Sequence, residues 1–201
     1  MNRINNPSAT LSLLIAGALA LAGCTAGVPA EEPPLAGASI GGDFALTASD
    51  GRTVQWDDFA GQYRVVYFGY AFCPDVCPTD MQRVAQGLKV LKASDPDIAA
   101  KIQPIFITID PERDTQQVVG EFAAAFSPDI IGLTGTPDQI AAAAKAFKVF
   151  YARGEEVEGG GYLVDHSNIV YLFGPQGEPL ATLPVDQGGE AVAAELRKWV
   201  S

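Results

Sequence analysis

The chain of 201 residues carries 24 acidic against 13 basic side chains, which gives a formal net charge of −11 at pH 7. Nucleic-acid phosphates select basic surfaces, so this acidity argues against nucleic acid as a partner. The thiol and imidazole groups are few: three cysteines, Cys24, Cys73 and Cys77, and one histidine, His166.

The N-terminus has the pattern of an export signal. Arg3 gives residues 1–23 a weakly positive start, and the apolar run at 11–22 is too short to span a membrane comfortably. Residues 21–24, Leu-Ala-Gly-Cys, resemble the bacterial lipobox, in which the cysteine is diacylated and becomes the first residue of the mature chain. This resemblance implies an exported bacterial lipoprotein, anchored through Cys24 to a membrane and facing the periplasm or the outer side of the cytoplasmic membrane. The alternative is an ordinary signal peptide followed by an unrelated cysteine.

A tether and one domain are predicted after the signal. Residues 24–39 are rich in Pro, Ala, Gly and Glu and lack periodicity, which predicts a lipidated N-terminus followed by a flexible tether. The segment 40–201, about 160 residues long, suits a single domain, and it contains no visible repeat.

The hydrophobic patterns of this segment predict an α/β domain. Its first half should contain, in order, a hairpin (44–47 and 53–56), a short helix (57–60), a buried strand (64–72), a helix (78–93), a second buried strand (102–109) and a helix (115–126). Its second half should contain a brief strand (130–133), a helix (137–147), an edge strand (149–153), a mobile acidic loop (154–161), a hairpin (169–173 and 179–183) and a closing amphipathic helix (190–200). The strand–helix alternation in the middle predicts parallel strands with crossover helices.

Cys73 and Cys77 stand where the first buried strand gives way to a helix. Pro78 suits the first position of a helix, which would make Cys77 its N-cap and place both sulfurs at the positive end of the helix dipole. That position favours a thiolate, the form that attacks disulfides and binds soft metals. A structural disulfide is the alternative, but a cross-link that closes so short a loop stabilises a chain little.

Three motifs in this order resemble the Sco/SenC family of copper proteins, which take part in cytochrome c oxidase assembly. They are Cys-Pro-Asp-Val-Cys-Pro at 73–78, Asp-Pro-Glu-Arg-Asp-Thr at 110–115 and Tyr-Leu-Val-Asp-His-Ser at 162–167, and the similarity covers essentially the whole mature domain. The resemblance implies a thioredoxin-like fold with an N-terminal hairpin extension and a C-terminal antiparallel hairpin plus helix. It further implies one copper ion per chain, Cu(I) or Cu(II), held by Cys73, Cys77 and His166.

The same resemblance implies a function and partners. The protein would deliver copper to, or prepare, the binuclear copper centre in subunit II of cytochrome c oxidase. Another periplasmic copper chaperone and a thiol reductant are further candidate partners, and the membrane would be reached through the lipid anchor.

His166 can be a ligand only if the fold brings it near the cysteines. In thioredoxin-like folds the loop that enters the antiparallel hairpin lies beside the cysteine turn, and residues 164–168 would form that loop, with His166 where a cis-proline usually stands. A lone histidine in an arbitrary protein is more often a surface or core residue. Two thiolates and one imidazole suit Cu(I), whereas structural zinc usually takes four ligands, so a fourth would come from Asp75, Asp165 or water.

The Asp-Pro-Glu-Arg-Asp-Thr motif follows the second buried strand, so it belongs to the same carboxyl edge of the sheet as the cysteines. Its residues could shape the charge of the site or contact a partner, or they could only cap the following helix. We do not expect them to be metal ligands.

A second function is open from the sequence: a membrane-tethered thiol-disulfide oxidoreductase that keeps partner cysteines reduced. Cys73 would be the attacking thiolate and Cys77 the resolving thiol. This chemistry does not need His166 and usually has two residues between the cysteines, whereas three stand here. We therefore favour a metallochaperone, and the sequence leaves open whether the protein is also an enzyme.

Overall fold

The structure, a computed structural model, describes residues 31–157 and 160–201, of which Glu32–Ser201 form one compact unit. The predicted signal peptide and Cys24 lie outside the described residues. Within the described residues, no helix is both long enough and apolar enough to cross a membrane.

The strands and helices follow the predicted order closely. The described strands are β1 (Ala45–Ala48), β2 (Thr53–Gln55), β3 (Tyr63–Gly69), β4 (Ile102–Thr108), β5 (Ile131–Thr134), β6 (Tyr151–Glu156), β7 (Tyr162–His166), β8 (Val170–Phe173) and β9 (Pro179–Thr182). The described helices are α1 (Val76–Ser94), α2 (Pro96–Ala99), α3 (Gln116–Phe126), α4 (Pro137–Ala146) and α5 (Gly189–Trp199), with short 3₁₀ turns at Trp56–Phe59 and Val185–Gln187.

A seven-stranded sheet of order β2-β1-β5-β4-β3-β8-β9 forms the centre of the domain. Strands β3, β4 and β5 are parallel neighbours, as the strand–helix alternation predicted. Both faces of β3 are covered, which explains why residues 65–69 of this strand show no alternation of apolar and polar side chains. The N-terminal hairpin pairs antiparallel with β5, and β8 pairs antiparallel with β3, so the predicted hairpins extend the parallel core at its two sides.

The two faces of the sheet hold different clusters. On one face Tyr67 donates a hydrogen bond to Asp80 of α1, and Phe106 stacks at 4.7 Å on Phe122 of α3. On the other face Phe68 packs at 5.3 Å against Phe147, which follows α4. The carboxyl ends of β3 and β4 therefore meet the N-termini of α1 and α3 at one edge, where the cysteines lie.

Arg64 is a buried cation that the sequence pattern concealed. It lies within β3 and is 2% exposed. Its guanidinium lies 4.4 Å from the centre of the Trp56 ring, and its Nη1 donates to Gly174 O at 2.9 Å. The aromatic face and the carbonyl together replace part of the hydration that this charge loses.

The segment before β1 is packed against the domain. Leu35 N–H donates to Leu180 O at 2.9 Å, and Gly41 N–H donates to Ala146 O at 3.1 Å. The side chains of Leu35 and Ile40 contact the core. Residues 35–39, which the sequence predicted to be part of the flexible tether, thus belong to the folded unit.

Strand β6 differs from its prediction. The sequence indicated an edge strand at 149–153 followed by a loop at 154–161, but β6 runs over Tyr151–Glu156 and pairs only with β7, in a separate two-stranded sheet. The antiparallel pairing with β7, the next strand in the chain, extends β6 into the glycine-containing segment that we had interpreted as loop.

Candidate metal centre

The turn after β3 presents both sulfurs to the start of α1. Helix α1 begins at Val76, so Asp75 is its N-cap and Pro78 its third residue; the predicted start at Pro78 with Cys77 as N-cap is wrong. A proline in the first turn is tolerated there because the first N–H groups of a helix have no partner within the helix. The side chain of Asp75 caps no backbone group, and the Cys77 N–H donates instead to Cys73 Sγ at 3.4 Å.

His166 is the last residue of β7, not part of a loop as predicted. Its Nε2 lies 3.2 Å from Cys77 Sγ, and its Nδ1 lies 3.0 Å from Ser167 O. A carbonyl oxygen can only accept a hydrogen bond, so we assign the ring proton to Nδ1. Nε2 then faces the sulfurs with a free lone pair. This tautomer is the one that can bind a metal through Nε2.

The three side chains form one group able to hold a metal ion. The two sulfurs and the imidazole nitrogen all lie within 4.8 Å of one another. Cys77 is 0% and Cys73 9% exposed, and both are free thiols. In the described part of the chain neither Asp75 nor Asp165 joins this group, so the fourth ligand that structural zinc usually takes is not supplied by these carboxylates.

The two cysteines differ in acidity because they share a hydrogen bond. The hydrogen bond from the Cys77 thiol to Cys73 lowers the pKa of Cys73 to about 3. The same hydrogen bond, together with burial, raises the pKa of Cys77. The metal-free pair therefore holds one thiolate at neutral pH, and a soft cation has to displace the remaining proton.

Aromatic rings and a buried carboxyl enclose the ligands. The rings of Tyr67 and Tyr70 stand edge-on to His166 at 6.3 and 5.9 Å between centroids. Tyr67 OH donates to Asp80 Oδ2 at 3.2 Å, and burial raises the pKa of Asp80. Gly69 leaves room for the sulfur, because an added Cβ there would lie 3.0 Å from Cys77 Sγ and 2.9 Å from Tyr67 Cε1.

The loop 110–115 connects both ligand-bearing segments to the sheet edge. Buried Asp114 accepts from Ala71 N–H at 2.8 Å, which holds the turn before Cys73, and from Thr108 Oγ1 at 2.7 Å. On the other side Arg113 donates to Asp110 and to Tyr162 O at 2.8 Å, and Tyr162 OH donates to Asp110 Oδ1 at 2.7 Å. Strand β7 is thereby attached to the same loop.

This loop also caps α3, because Thr115 Oγ1 accepts from Val118 N–H. The predicted helix cap is therefore present, and the motif also supports the turn before Cys73 and strand β7. Its role in the charge of the site or in a partner contact stays a prediction. None of its residues belongs to the three-ligand group within the described residues.

The sequence predicted the three ligands but not the side chains that surround and position them. Asp80 follows Cys77 by one helical turn, and that spacing could have placed it on the same face of α1. Tyr67 and Tyr70 lie in the buried strand and just beyond it, where apolar rings are expected in any core. Tyr162 is 49 residues from Arg113 in sequence, and no local pattern indicates that they stack.

Comparisons with known proteins agree with this arrangement. The SCO1/SenC family profile matches residues 32–201. The Arabidopsis thaliana mitochondrial SCO1 homolog 1 is 40% identical over 150 residues, which are 74% of this chain and 44% of that protein. The Homo sapiens mitochondrial SCO1 homolog is 40% identical over 159 residues, 78% of this chain and 52% of that protein. The chain thus spans about half the length of these curated relatives.

Solved structures resemble the domain over most of its length. Arabidopsis thaliana ScoI with copper bound superposes with a TM-score of 0.73 at 34% identity, covering 79% of this chain and 97% of that one. Bradyrhizobium japonicum ScoI with copper bound gives 0.71 at 32% identity, covering 80% and 99%. BsSco, a member of the Sco family of cytochrome c oxidase assembly proteins, gives 0.62 at 22% identity, covering 84% and 97%, and supports the fold alone. These matches confirm the predicted thioredoxin-like fold, and with the Cys-Cys-His group they are consistent with copper as the metal.

Proposed function

The chain belongs to the SCO1/SenC family, and from this premise we propose that it carries one copper ion on Cys73, Cys77 and His166. We further propose that it delivers this copper to, or prepares, the binuclear centre in subunit II of cytochrome c oxidase. The membership in this family, whose proteins take part in the copper assembly of this oxidase, supports the proposal. The observation that carries the proposal is the 3.2 Å approach of His166 Nε2 to Cys77 Sγ, since disulfide chemistry needs only the sulfurs.

The residues of the site divide the work of holding the ion. Cys73 offers a thiolate before the metal arrives, and Cys77 supplies the second charge when copper displaces its proton. The Ser167 carbonyl keeps the His166 proton on Nδ1, so Nε2 can bind without a prior deprotonation. Two anionic sulfurs and a neutral imidazole make a soft donor set that suits Cu(I).

The cellular setting of this function is part of the proposal. Cys24 would carry the lipid that anchors the domain to a membrane on the periplasmic or outer side. A periplasmic copper chaperone would load the site, and a thiol reductant would keep the cysteines reduced. The thiol-disulfide oxidoreductase is the alternative that the following experiment separates.

Cells that carry His166→Ala should lose oxidase activity nearly as completely as cells that carry Cys73→Ser with Cys77→Ser. Removing the imidazole leaves copper with two protein ligands, whereas reduction of a partner disulfide would continue with both cysteines in place. Oxidase activity is measured in membranes after immunoblots show that each variant is exported and accumulates. Full oxidase activity with His166→Ala, together with its loss in the double cysteine variant, would refute the copper proposal in favour of the reductase.

Copper uptake should also depend on the redox state of the pair. Reduced protein should bind about one copper per chain in an anaerobic titration, and oxidised protein should bind little, because a disulfide sulfur is a poor ligand. Equal uptake before and after reduction would remove Cys73 and Cys77 from the site.

A further inference from the structure

Five large apolar side chains are exposed in the described part of the chain: Phe72 (52%), Val76 (37%), Phe150 (64%), Val157 (40%) and Leu163 (40%). Phe72 directly precedes Cys73, and Val76 is the first residue of α1 and directly precedes Cys77. The other three lie in or beside the β6–β7 hairpin that ends at His166. Apolar side chains scattered singly over a surface need no explanation, but several that are exposed beside the ligand-bearing segments indicate a contact surface.

Phe72 precedes Cys73 and extends over the loop that supports the site. Its ring centre lies 5.3 Å from the guanidinium carbon of Arg113, which stacks at 3.7 Å on Tyr162. The exposed ring is therefore held next to the hairpin, although it belongs to the cysteine turn.

Phe150 and Val76 lie beside the residues that follow His166. Ser167 N–H donates to Phe150 O at 2.9 Å, and Phe150 N–H donates to Ser167 Oγ at 3.1 Å. Val76 lines a groove of about 500 Å³ together with Asn168. Phe72, Val76 and Phe150, which we call the apolar rim, thus adjoin the cysteine turn, the start of α1 and the strand end that carry the ligands.

Any protein that takes copper from this site has to cover the rim. Bonds from protein nitrogen and sulfur to a metal such as zinc are about 2.0–2.3 Å long, while Cys77 is 0% and Cys73 9% exposed. A receiving side chain must therefore approach the ion held between these sulfurs, and the surface around that side chain comes into contact with the residues beside the ligands.

The charges around the rim indicate the kind of surface that fits. The exposed acidic residues of these segments and of the adjacent loop are Asp75, Glu112, Glu155, Glu156 and Asp165. Two of the nearby cations are paired with acidic groups: Arg113 bonds to Asp110, and Arg153 lies between Glu112 at 3.8 Å and Glu156 at 3.9 Å. Arg83 lines the same groove as Val76, and Lys148 is exposed two residues before Phe150. The five carboxylates still outnumber Arg83, Lys148 and Arg153. Acidic charge therefore remains in excess at the border of the rim.

We propose that the apolar rim is the docking surface for the protein that receives the copper, and that this protein presents an apolar patch bordered by cationic side chains. The proposal rests on the copper delivery proposed above. Burial of the rim aromatics supplies the affinity of the encounter, and the acidic border steers the partner to it.

The test measures copper transfer from the copper-loaded chain to the metal-free soluble domain of cytochrome c oxidase subunit II of the same organism. We compare the wild type, Phe72→Ser with Phe150→Ser, and Ala124→Ser, an exposed apolar position of α3 outside the rim. Copper affinity of each variant is measured separately by competition with a chelator, and folding by circular dichroism. The rim variant should keep its copper affinity and transfer at least tenfold more slowly, the control should match the wild type, and transfer should slow as salt rises.

Each outcome decides something different. Equal transfer by the rim variant and the wild type would overturn the docking surface and leave copper delivery standing. Slow transfer that does not respond to salt would overturn the cationic border of the partner. Failure of the copper-loaded wild type to transfer at all would overturn delivery to this acceptor, and with it the docking proposal.

Discussion

Asp114 is the buried carboxyl that connects the turn before Cys73 to strand β4, and its replacement by alanine should destabilise the domain. The side chain is 0% exposed and accepts hydrogen bonds from Ala71 N–H and Thr108 Oγ1, while its Oδ1 has no partner. Alanine leaves both donors without an acceptor, at about 1–3 kcal/mol each. Removal of the unpaired oxygen offsets about 1–3 kcal/mol of that loss.

The free energy of unfolding should therefore fall by about 1–3 kcal/mol, which is large against a typical stability of about 5–15 kcal/mol. With a slope near 2 kcal/mol per molar urea, the unfolding midpoint should drop by about 0.5–1.5 M. Urea unfolding followed by circular dichroism measures the change. Asp97→Ala, at an exposed position in α2, is the matched control and should stay within about 0.5 kcal/mol of the wild type.

Copper affinity gives a second measurement on the same variant. Release of Ala71 loosens the turn that carries Cys73, so Asp114→Ala should bind copper more weakly even where it is fully folded. An Asp114→Ala protein that unfolds within 0.5 kcal/mol of the wild type would refute the view that this carboxyl holds the turn.

Burial raises the pKa of Asp114, so this group stabilises the fold below its unfolded pKa, and the stabilisation is lost as pH rises through the folded pKa. The stability of the wild type relative to Asp114→Asn, measured by urea unfolding, should therefore fall as the pH rises above about 4, the usual pKa of an aspartate. A difference that stays constant with pH would contradict the shift. A chain that begins at Ala38 should have a free energy of unfolding about 1–2 kcal/mol lower than a chain that begins at Glu32. The shorter chain lacks the packing of Leu35 against the core and its backbone hydrogen bond to Leu180. Equal urea midpoints would contradict this. Cys24→Ser should release the protein from membranes or block its processing, because a thioether needs the sulfur, and mass spectrometry of the mature N-terminus provides the check: an unmodified Cys24 would refute the anchor.

Sequence patterns sufficed where one physical requirement dominated. Strands β3 and β4 are buried on both faces, so most of each strand (65–69 and 104–107) is a continuous apolar run that no surface helix would show. The carboxyl-edge rule then placed the cysteines and the 110–115 loop together, because parallel strands end at one edge. These two inferences located the cysteine turn and the 110–115 loop from the sequence alone.

The remaining features depend on contacts that the hydrophobic pattern does not reveal. The start of α1 could not be fixed from Pro78, because Cys73 Sγ accepts the Cys77 N–H and so takes the place of a side-chain cap. Strand β7 could not be separated from a loop, because its partner β6 contains Gly154 and the pairing is interrupted by a register shift. Aspartate is a residue type usually found at the surface. Asp114 is buried because Ala71 and Thr108, which both donate hydrogen bonds to it, meet at the same edge of the sheet.

The close approach of Gly69 to the metal site offers a way to adjust copper binding without deleting a ligand. A methyl group there would meet Cys77 Sγ at 3.0 Å, Tyr67 Cε1 at 2.9 Å and Phe106 Cε2 at 3.2 Å, so the sulfur and two rings would have to yield by a few tenths of an ångström. Gly69→Ala would then change the distance between Cys77 and His166 while keeping all three donors. Such a variant would change the copper affinity of the site in a small step, and hence the rate at which the receiving protein removes the copper.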